Sequence, residues 1–390
     1  MSGQTRSTWE KVKFKNFVQL QRGFDLPQQD RIYGKYPIIA STSITAYHNS
    51  FKVKAPCVTT GRSGALGEVL YINQDCWPLN TTLWVKDFKS NHPKFVYYKL
   101  KTLGLEKFNA GAGVPTLNRN HLDEIDITLP DLPTQSRIAS VLSAYDDLIE
   151  NNEKRIKVLE EMAQRLYTEW FVHFRFPGHE KVEMVDSGTE YGMIPEGWEV
   201  QELYSLISII SGFSFKSSTY QEDGKYKIVT IKNVQDGEFI LNFTSFINDL
   251  PTNLPKPCLL NRGDILLSLT GNVGRVCIVY GNNHLLNQRV AKLDPVIPAA
   301  REFVYSMFRR REFQQKMESM SNGAAQQNLS PIQVKEVKII IPESKILAEF
   351  SSLTAEYFDL LVFLQERNLT LSNVRDLLIS QLVTGVRALK

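Results

Sequence analysis

Two stretches of this chain set glycines around a polar tip: "TTGRSGALGEV" from Thr59 and "SLTGNVGRV" from Ser268. Glycine lets backbone approach a partner closely, and Arg62 in the first loop, like Asn272 and Arg275 in the second, can reach outward from such a tip. Arginine and asparagine match the hydrogen-bonding edges of guanine and adenine with paired donors and acceptors. The chemistry on offer is recognition rather than bond making. Lys35-Tyr36, Lys225-Tyr226 and Lys232-Asn233 add cationic, aromatic and amide groups in matching places, and Arg22, Thr60, Ser63, Asn80, Lys216, Asn287 and Arg289 complete the candidate contacts. Arg309 and Arg310 in "FRRREF" fall on a predicted helix and suit phosphate oxygens. A plain glycine-rich hairpin and a solvated helix face are the competing readings of these features.

Catalytic constellations are missing. The chain has no G-x-x-x-x-G-K-[ST] loop, no G-x-G-x-x-G after a first strand, no H-E-x-x-H and no G-x-S-x-G. It also lacks the Asn/Asp-Pro-Pro-aromatic signature of amino-methyltransferases, and Pro130-Asp131 is not followed by the Glu-x-Lys a nuclease needs. His48, His92, His121, His173, His179 and His284 are scattered, and Cys57, Cys76, Cys258 and Cys277 form no C-x-x-C pair. A non-catalytic chain without a metal site or disulfide framework is expected. No apolar run approaches the roughly 18 residues of a membrane span, and "MSGQTRSTWEK" lacks a signal-peptide core, so a cytoplasmic location is expected. The net charge of +3 conceals a segregation: 17 Lys/Arg face 10 Asp/Glu in residues 1–130, whereas 7 face 12 in 131–194. A basic lobe favours a polyanionic partner.

The loops are positioned by a chain written twice. "STWEKVKF" from Ser7 is echoed by "EGWEVQEL" from Glu196, each Trp-Glu lying the same distance before a Gly-Phe, in "LQRGFDLP" and "IISGFSFK". "GKYPII" from Gly34 recurs as "GKYKIV" from Gly224; after an insertion of about 20 residues the glycine loops match, then Leu79-Asn80 with Leu286-Asn287. "KFVYYKLKT" from Lys94 matches "EFVYSMFRR" from Glu302, "GAGVPTLN" from Gly111 matches "GAAQQNLS" from Gly323, and "ITLP" from Ile127 matches "IIIP" from Ile339.

The first two-thirds of each copy alternate short β-branched runs with Gly, Asn and Asp, a pattern of many short strands. One helix is predicted in each lobe, at about Lys94 to Phe108 and Arg301 to Met320. The last third is different. Thr134 to Phe171 contains no Gly or Pro, and Ile138, Tyr145, Asn152, Leu159, Leu166 and Leu142, Ile149, Ile156, Ala163, Trp170 recur in heptads. The second copy repeats the seam as Phe350, Tyr357, Leu364, Leu371, Leu378 and Thr354, Leu361, Asn368, Arg375, Leu382. Asp131 and Ser344 are candidate N-caps, and Pro177-Gly178 a stop. Asn152 and Asn368 either fix register or are chance polar residues. Chain continuity makes the helices antiparallel, and about 38 residues give a rod of roughly 57 Å between two lobes.

The whole chain resembles the DNA-specificity subunits of type I restriction-modification systems. The resemblance rests on "IPEGWE", on "LPTQSRIASVLSAYDDLIENNEKRIKVLEEMAQRLYTEWF" and "IIIPESKILAEF…LLISQLVTG" as the central and distal helices, and on "SGFSFKSSTYQEDGKYKIVTIKNVQDG" as the start of a recognition domain. It implies an α+β fold of two mixed α/β target-recognition lobes with an internal pseudo-twofold repeat, separated by two long antiparallel helices in a coiled coil. The implied segments are a first recognition domain (1–130), central helix (131–175), linker (176–194), second recognition domain (195–343) and distal helix (344–390). It further implies that the chain reads a bipartite, asymmetric site on double-stranded DNA and docks two methyltransferase subunits, through which motor-nuclease subunits join. No cofactor is expected on this chain; S-adenosylmethionine, ATP and Mg belong to the partner subunits, and no membrane is involved. A protein-binding scaffold with duplicated lobes is the alternative.

Overall fold

The computed structural model describes residues 9–111, 113–321 and 327–389; Ser7 and Thr8 of the first Trp-Glu motif, Ala112, and 323–326 of "GAAQQNLS" lie outside the described residues. Contacts divide the chain into two units, Met1–Glu150 with Thr370–Lys390, and Asn151–Leu369. Each unit joins one lobe to a portion of both long helices.

In the first unit, β1 (Glu10–Lys13) runs into a helical turn α1 (Phe14–Phe17), followed by β2 (Gln19–Arg22), β3 (Tyr36–Ala40), β4 (Ser43–His48), β5 (Cys57–Gly61), β6 (Val69–Ile72), β7 (Trp77–Pro78) and β8 (Thr82–Asp87). Helices α2 (Pro93–Lys101) and α3 (Arg119–Asp123) and strand β9 (Asp126–Leu129) lead into α4 (Leu132–Tyr167). Strands order as β2-β8-β5-β6, β4-β3-β7 and β1-β9. The core gathers Phe14, Phe17, Phe95, Tyr98 and Leu100 against Ile138 and Leu142 of α4 and Ile379 and Leu382 of the C-terminal helix. Burying each such aliphatic or Phe side chain contributes about 1.5–3 kcal/mol.

The second unit opens with a hairpin, β10 (Met184–Asp186) and β11 (Met193–Pro195), then β12 (Glu199–Glu202), β13 (Ile207–Ser211), β14 (Tyr226–Val229), β15 (Phe246–Ile247), β16 (Leu259–Leu260), β17 (Ile265–Ser268), β18 (Val276–Ile278), β19 (His284–Leu286) and β20 (Val290–Pro295). Helices α5 (Arg301–Arg309), α6 (Arg311–Met320) and α7 (Pro331–Lys335), strand β21 (Lys338–Ile341) and helix α8 (Ser344–Leu382) follow. Its sheets order as β13-β20-β17-β18, β15-β14-β19-β16 and β12-β21, the same plan again.

The repeat holds at the level of register. Val12 faces Ile127 as Gln201 faces Ile339; the parallel pair Ile39 and Pro78 returns as Val229 and Leu286. That pairing makes Leu286 the counterpart of Pro78, so Leu79 corresponds to Asn287 and the sequence match of Leu79-Asn80 with Leu286-Asn287 is one residue out of step. Phe24 and Phe213 agree, their amides donating to Pro78 O and Leu286 O. Equal Leu-Asn letters misled where the bridge partners, Phe24 to Leu79 and Phe213 to Asn287, carry different ones.

Helix boundaries also differ from the expectation. The first lobe helix stops at Lys101, and Gly104, at φ +60°, starts a separate 3-10 turn over Leu105–Phe108. The second breaks at Arg310, whose extended backbone separates α5 from α6. Asp131 does cap α4, its carboxylate accepting from Thr134 N at 3.0 Å, whereas Ser344 is already the first residue of α8. The first long helix ends ahead of Pro177-Gly178: a π-helical turn, Thr168–Val172, leads to Phe174 at φ +55°. What reads as a linker is partly core, because Phe176 is buried with Trp198 and β10 pairs with β11. Trp198 packs on Phe171, Phe174 and Phe176, ring centroids 5.1–5.9 Å away, and Trp9 lies against Gly385 just past the end of α8. Each Trp-Glu motif therefore packs where a long helix ends.

The seam positions of α4 and α8 are buried or half-buried throughout. In the second unit Asn152 Nδ2 donates to Asn368 Oδ1 at 2.8 Å, while Leu159 and Ala163 share a small cavity lining with Tyr357, Phe358 and Leu361; rising numbers on one helix meet falling numbers on the other, so the pair is antiparallel. The first unit continues the same sense, with Arg375 Nη1 on Asp146 Oδ1 at 2.9 Å. Asn152 is only 5% exposed, so Asn152→Ala, which deletes its hydrogen bond to the half-buried Asn368, is expected to cost about 0.5–1.5 kcal/mol. Asn152→Leu with Asn368→Leu should recover much of that stability while loosening register; thermal unfolding of the three chains, with cross-linking of cysteines placed across the seam, checks both.

Candidate nucleic-acid interface

The two glycine loops share one backbone. Gly64 and Gly67 adopt φ of +88° and +93°, and Gly271 and Gly274 adopt +73° and +82°, the left-handed region where a Cβ is strained. Ser63 bridges Thr116 as Thr270 bridges Asn328, and Leu117 N donates to Arg62 O as Leu329 N does to Leu269 O. The side chains on this common frame are different. Arg62 stands where the second loop has buried Leu269, Ala65 where it has Asn272, and Glu68 where it has Arg275.

Around the first loop the structure gathers several candidates. Arg62 Nη1 donates to Asn80 O at 3.1 Å, Asn80 Nδ2 reaches Asp25, and Arg22 pairs with Asp25 at 3.0 Å. Ser63 is tied in through its carbonyl, which accepts from Ser41 Oγ at 2.7 Å. Around the second loop, Arg275 Nη1 bonds Gln235, and Asn287 Nδ2 lies 3.4 Å from Tyr220 Oη. Asn272 is half-buried and Arg289 exposed.

Other candidates lie elsewhere. Lys35 and Tyr36 begin β3, whereas Ser41 follows its far end, so at about 3.3 Å per residue they stand roughly 17 Å from the Ser63 loop. Lys35 sits over the Tyr36 ring and Lys225 over that of Tyr226, at 5.3 and 4.9 Å. Lys216 and Lys232 are exposed.

Three candidates are committed to the interior. Thr60 is 1% exposed and donates to Glu68 O at 2.9 Å. Asn233 is 2% exposed; its Oδ1 accepts from Thr230 N and Nδ2 donates to Ile240 O, stitching the β14–β15 connection, in which part of the second copy's extra chain lies. Arg309 turns inward to Asp236 and to Glu160 of α4, 3.6 Å away. These are corrections: a main-chain-like run of polar letters hides which side chains the fold uses itself. Arg310 pairs with Glu312 at 3.1 Å and lines an apolar cleft with Tyr167, Phe303 and Phe313. Among the described residues no cluster of His, Cys, Asp or Glu could hold a metal.

The Arg309 network joins lobe to helix. Burial opposes the guanidinium's charge, but Tyr305, Glu160 and Asp236 outweigh it and raise its pKa; burial likewise lifts the Glu160 carboxyl, against Arg309 and the Tyr305 hydroxyl, which donates to it at 3.0 Å. Removing one partner of such a pair strands the other, at about 3–5 kcal/mol. Arg309→Ala should therefore lower the thermal midpoint of this unit. Glu160, with its folded pKa raised, favours folding only as pH falls and it takes a proton, so the deficit of Arg309→Ala against the parent should shrink from neutral pH into the acid range; melting curves across that range check it.

The family model described as Type I restriction modification DNA specificity domain matches residues 6–161 and 195–359, two stretches that each hold one lobe. The Type I restriction enzyme MjaIX specificity subunit of Methanocaldococcus jannaschii is 29% identical over 301 residues, which span 75% of this chain and 68% of that one. The HindI specificity subunit of Haemophilus influenzae is 22% identical over 329 residues, 70% of this chain and 71% of that one. Among solved structures, the type I restriction-modification S subunit from M. genitalium has the same fold, with a TM-score of 0.61 at 17% identity over 98% of both chains. Two mixed-sheet lobes, two long packed helices and a family match over most of the length agree: this chain belongs to the DNA-specificity subunits of type I restriction-modification systems, their non-catalytic component.

Proposed function

We propose that each lobe reads one half of a split, asymmetric target on double-stranded DNA, and that α4 and α8 dock two methyltransferase subunits, through which motor-nuclease subunits join in the cytoplasm. The observation that carries the reading is the shared loop backbone bearing Arg62, Ala65 and Glu68 in one copy and Leu269, Asn272 and Arg275 in the other. A duplicated frame with exchanged hydrogen-bonding groups suits two different half-sites, since base edges are told apart by donor and acceptor pattern. Within this reading Arg22, Asn80, Arg62 and Ser63 serve the first half-site, and Asn272, Arg275, Asn287 and Arg289 the second. Lys35, Lys216, Lys225 and Lys232 supply phosphate contacts that orient the duplex. S-adenosylmethionine, ATP and Mg act on the partner subunits.

Mapping methylated adenines in cells that express the chain with its methyltransferase partner should reveal one split, non-palindromic motif; a complex that shifts no DNA fragment would favour the protein-scaffold reading. Arg62→Ala should cost about 1–3 kcal/mol on the parent site and relax one position of one half-site. Binding to a panel of single-base variants at two salt concentrations checks this, and equal losses on every sequence would count against base reading. Adding one heptad to both α4 and α8 at matched positions should lengthen the unread spacer and leave both half-sites unchanged, which the same methylation map would read out.

A further inference from the structure

A second, unassigned recognition feature lies at the start of β3 in the first unit. Tyr33 is 89% exposed and Tyr47 43%, and with Gly34, Lys35 and Asn49 they line an open cleft. Gly34 makes the cleft possible, because a Cβ there would lie 2.4 Å from Asn49 Cα; the Ile32–Gly34 segment is pinned against the end of β4 by Asn49 N donating to Ile32 O at 2.9 Å. His48, buried next door, fixes the same segment from within, its Nδ1 lying 2.9 Å from Ile32 O and its ring edge-on to Trp77 at 5.1 Å. A rigid floor thus holds two exposed phenol rings, an ammonium group and the exposed amide of Asn49, whose side chain has no hydrogen-bond partner among the described residues.

The other lobe shows that this is not a requirement of the fold. By the register of β3 with β4 and of β14 with β15, Tyr33 corresponds to Asp223, Tyr47 to Phe246 and Asn49 to Asn248. There the amide is used internally: Asn248 Oδ1 accepts from Lys225 N at 3.0 Å and Nδ2 donates to Gln221 Oε1 at 2.7 Å. The lysine is common to both copies and an aromatic ring stands at the Tyr47 position in each, as Phe246 in the second, so the charge is retained while the Tyr33 ring and the free amide belong to the first copy alone. Large aromatic rings held in water keep apolar surface hydrated at a free-energy cost that a partner covering them relieves, and aromatic faces with an adjacent cation are a stacking platform for unstacked nucleotides.

We infer that the cleft of Tyr33, Lys35, Tyr47 and Asn49 holds one nucleotide of the first half-site that leaves the duplex stack, with Tyr33 against the base or sugar face, Lys35 at its phosphate and Asn49 on its edge. The assignment rests on the DNA-reading proposal and adds to it a position that the glycine loop, roughly 17 Å away along β3, does not reach. It also makes the first half-site the one with a stacking contribution.

The experiment uses the full chain with its methyltransferase partner and duplexes carrying the mapped target, with 2-aminopurine substituted at each position in turn. Tyr33→Ala should weaken binding on the order of tenfold, Tyr33→Phe should not, and 2-aminopurine fluorescence at one position of the first half-site should change in the parent and revert in Tyr33→Ala. Asn49→Ala should flatten the base preference at or beside that position and leave the second half-site's preferences intact. Tyr33 is too exposed for its loss to unfold the lobe, so the variant reports on contact. If Tyr33→Ala and Asn49→Ala stay within about twofold of the parent on every duplex while the parent still discriminates mutated sites, the cleft assignment falls and DNA reading stands. A parent complex that binds no duplex selectively overturns both.

Discussion

In each unit the lobe is built onto a stretch of seam where α4 packs on α8, and the polar contacts in that stretch select its register. Apolar heptads alone permit a slip, because a shift of one repeat again sets aliphatic side chains against aliphatic ones. The Asn152–Asn368 hydrogen bond does not survive such a slip, nor does the Asp146–Arg375 pair, and the buried Asn152 would lose its partner across the seam. Those polar contacts trade stability for uniqueness, and the lobes are built onto the register they select. In the first unit Tyr98 of α2 donates to the same Asp146 that Arg375 engages; in the second, Tyr305 and Arg309 of α5 meet Glu160. A lobe helix, a carboxylate of α4 and a cation form the joint each time, with different residues in each copy.

Duplication explains why the lobes can diverge without losing their shape. What the copies share is backbone: left-handed glycines at the loop tips, the parallel strand pair, and a tryptophan packed where a long helix ends. The exchanged positions differ in side chain while the backbone bonds of the frame are kept. Leu269 can replace Arg62 because the backbone pairing of that residue with the β9-side strand segment through Leu329 or Leu117 is the same. A frame of this kind can exchange side chains at its loop tips without refolding.

The repeat, the strand-rich lobes and the antiparallel seam were legible because each is a periodic pattern, and periodic patterns follow directly from how strands and helices bury apolar faces. Individual side-chain fates were less legible. Thr60 and Asn233 look like contact residues in a list of letters; only the pairing of β5 with β6 and the folding back of the β14–β15 connection show that their polar atoms are used internally. The end of the helical run before Phe174 was hidden too, since a left-handed phenylalanine leaves no mark of the kind Pro or Gly leaves. Tyr33 and Tyr47 were hidden for the opposite reason: tyrosines in strand-rich sequence normally read as core, and only Tyr33 carries a signal against that, its alignment with Asp223, whereas Tyr47 aligns with Phe246.

The basic surplus of residues 1–130 can now be given a place. Lys11 and Lys13 are answered by Asp126, and Lys15 by Glu124, all on or beside the β1–β9 pair; Lys89 is answered by Asp87. Those lysines neutralise their own surroundings and contribute little field at a distance. Lys35 and Lys52 instead lie over aromatic rings, Tyr36 and Trp77, at 5.3 and 4.9 Å, where the attraction leaves the formal charge uncompensated. Both flank the β3–β4 hairpin that carries the Tyr33 cleft, so two lysines held over rings rather than carboxylates lie beside the exposed tyrosines. A cation held over a ring keeps its charge available while its position is restricted, because the ring attracts it without neutralising it.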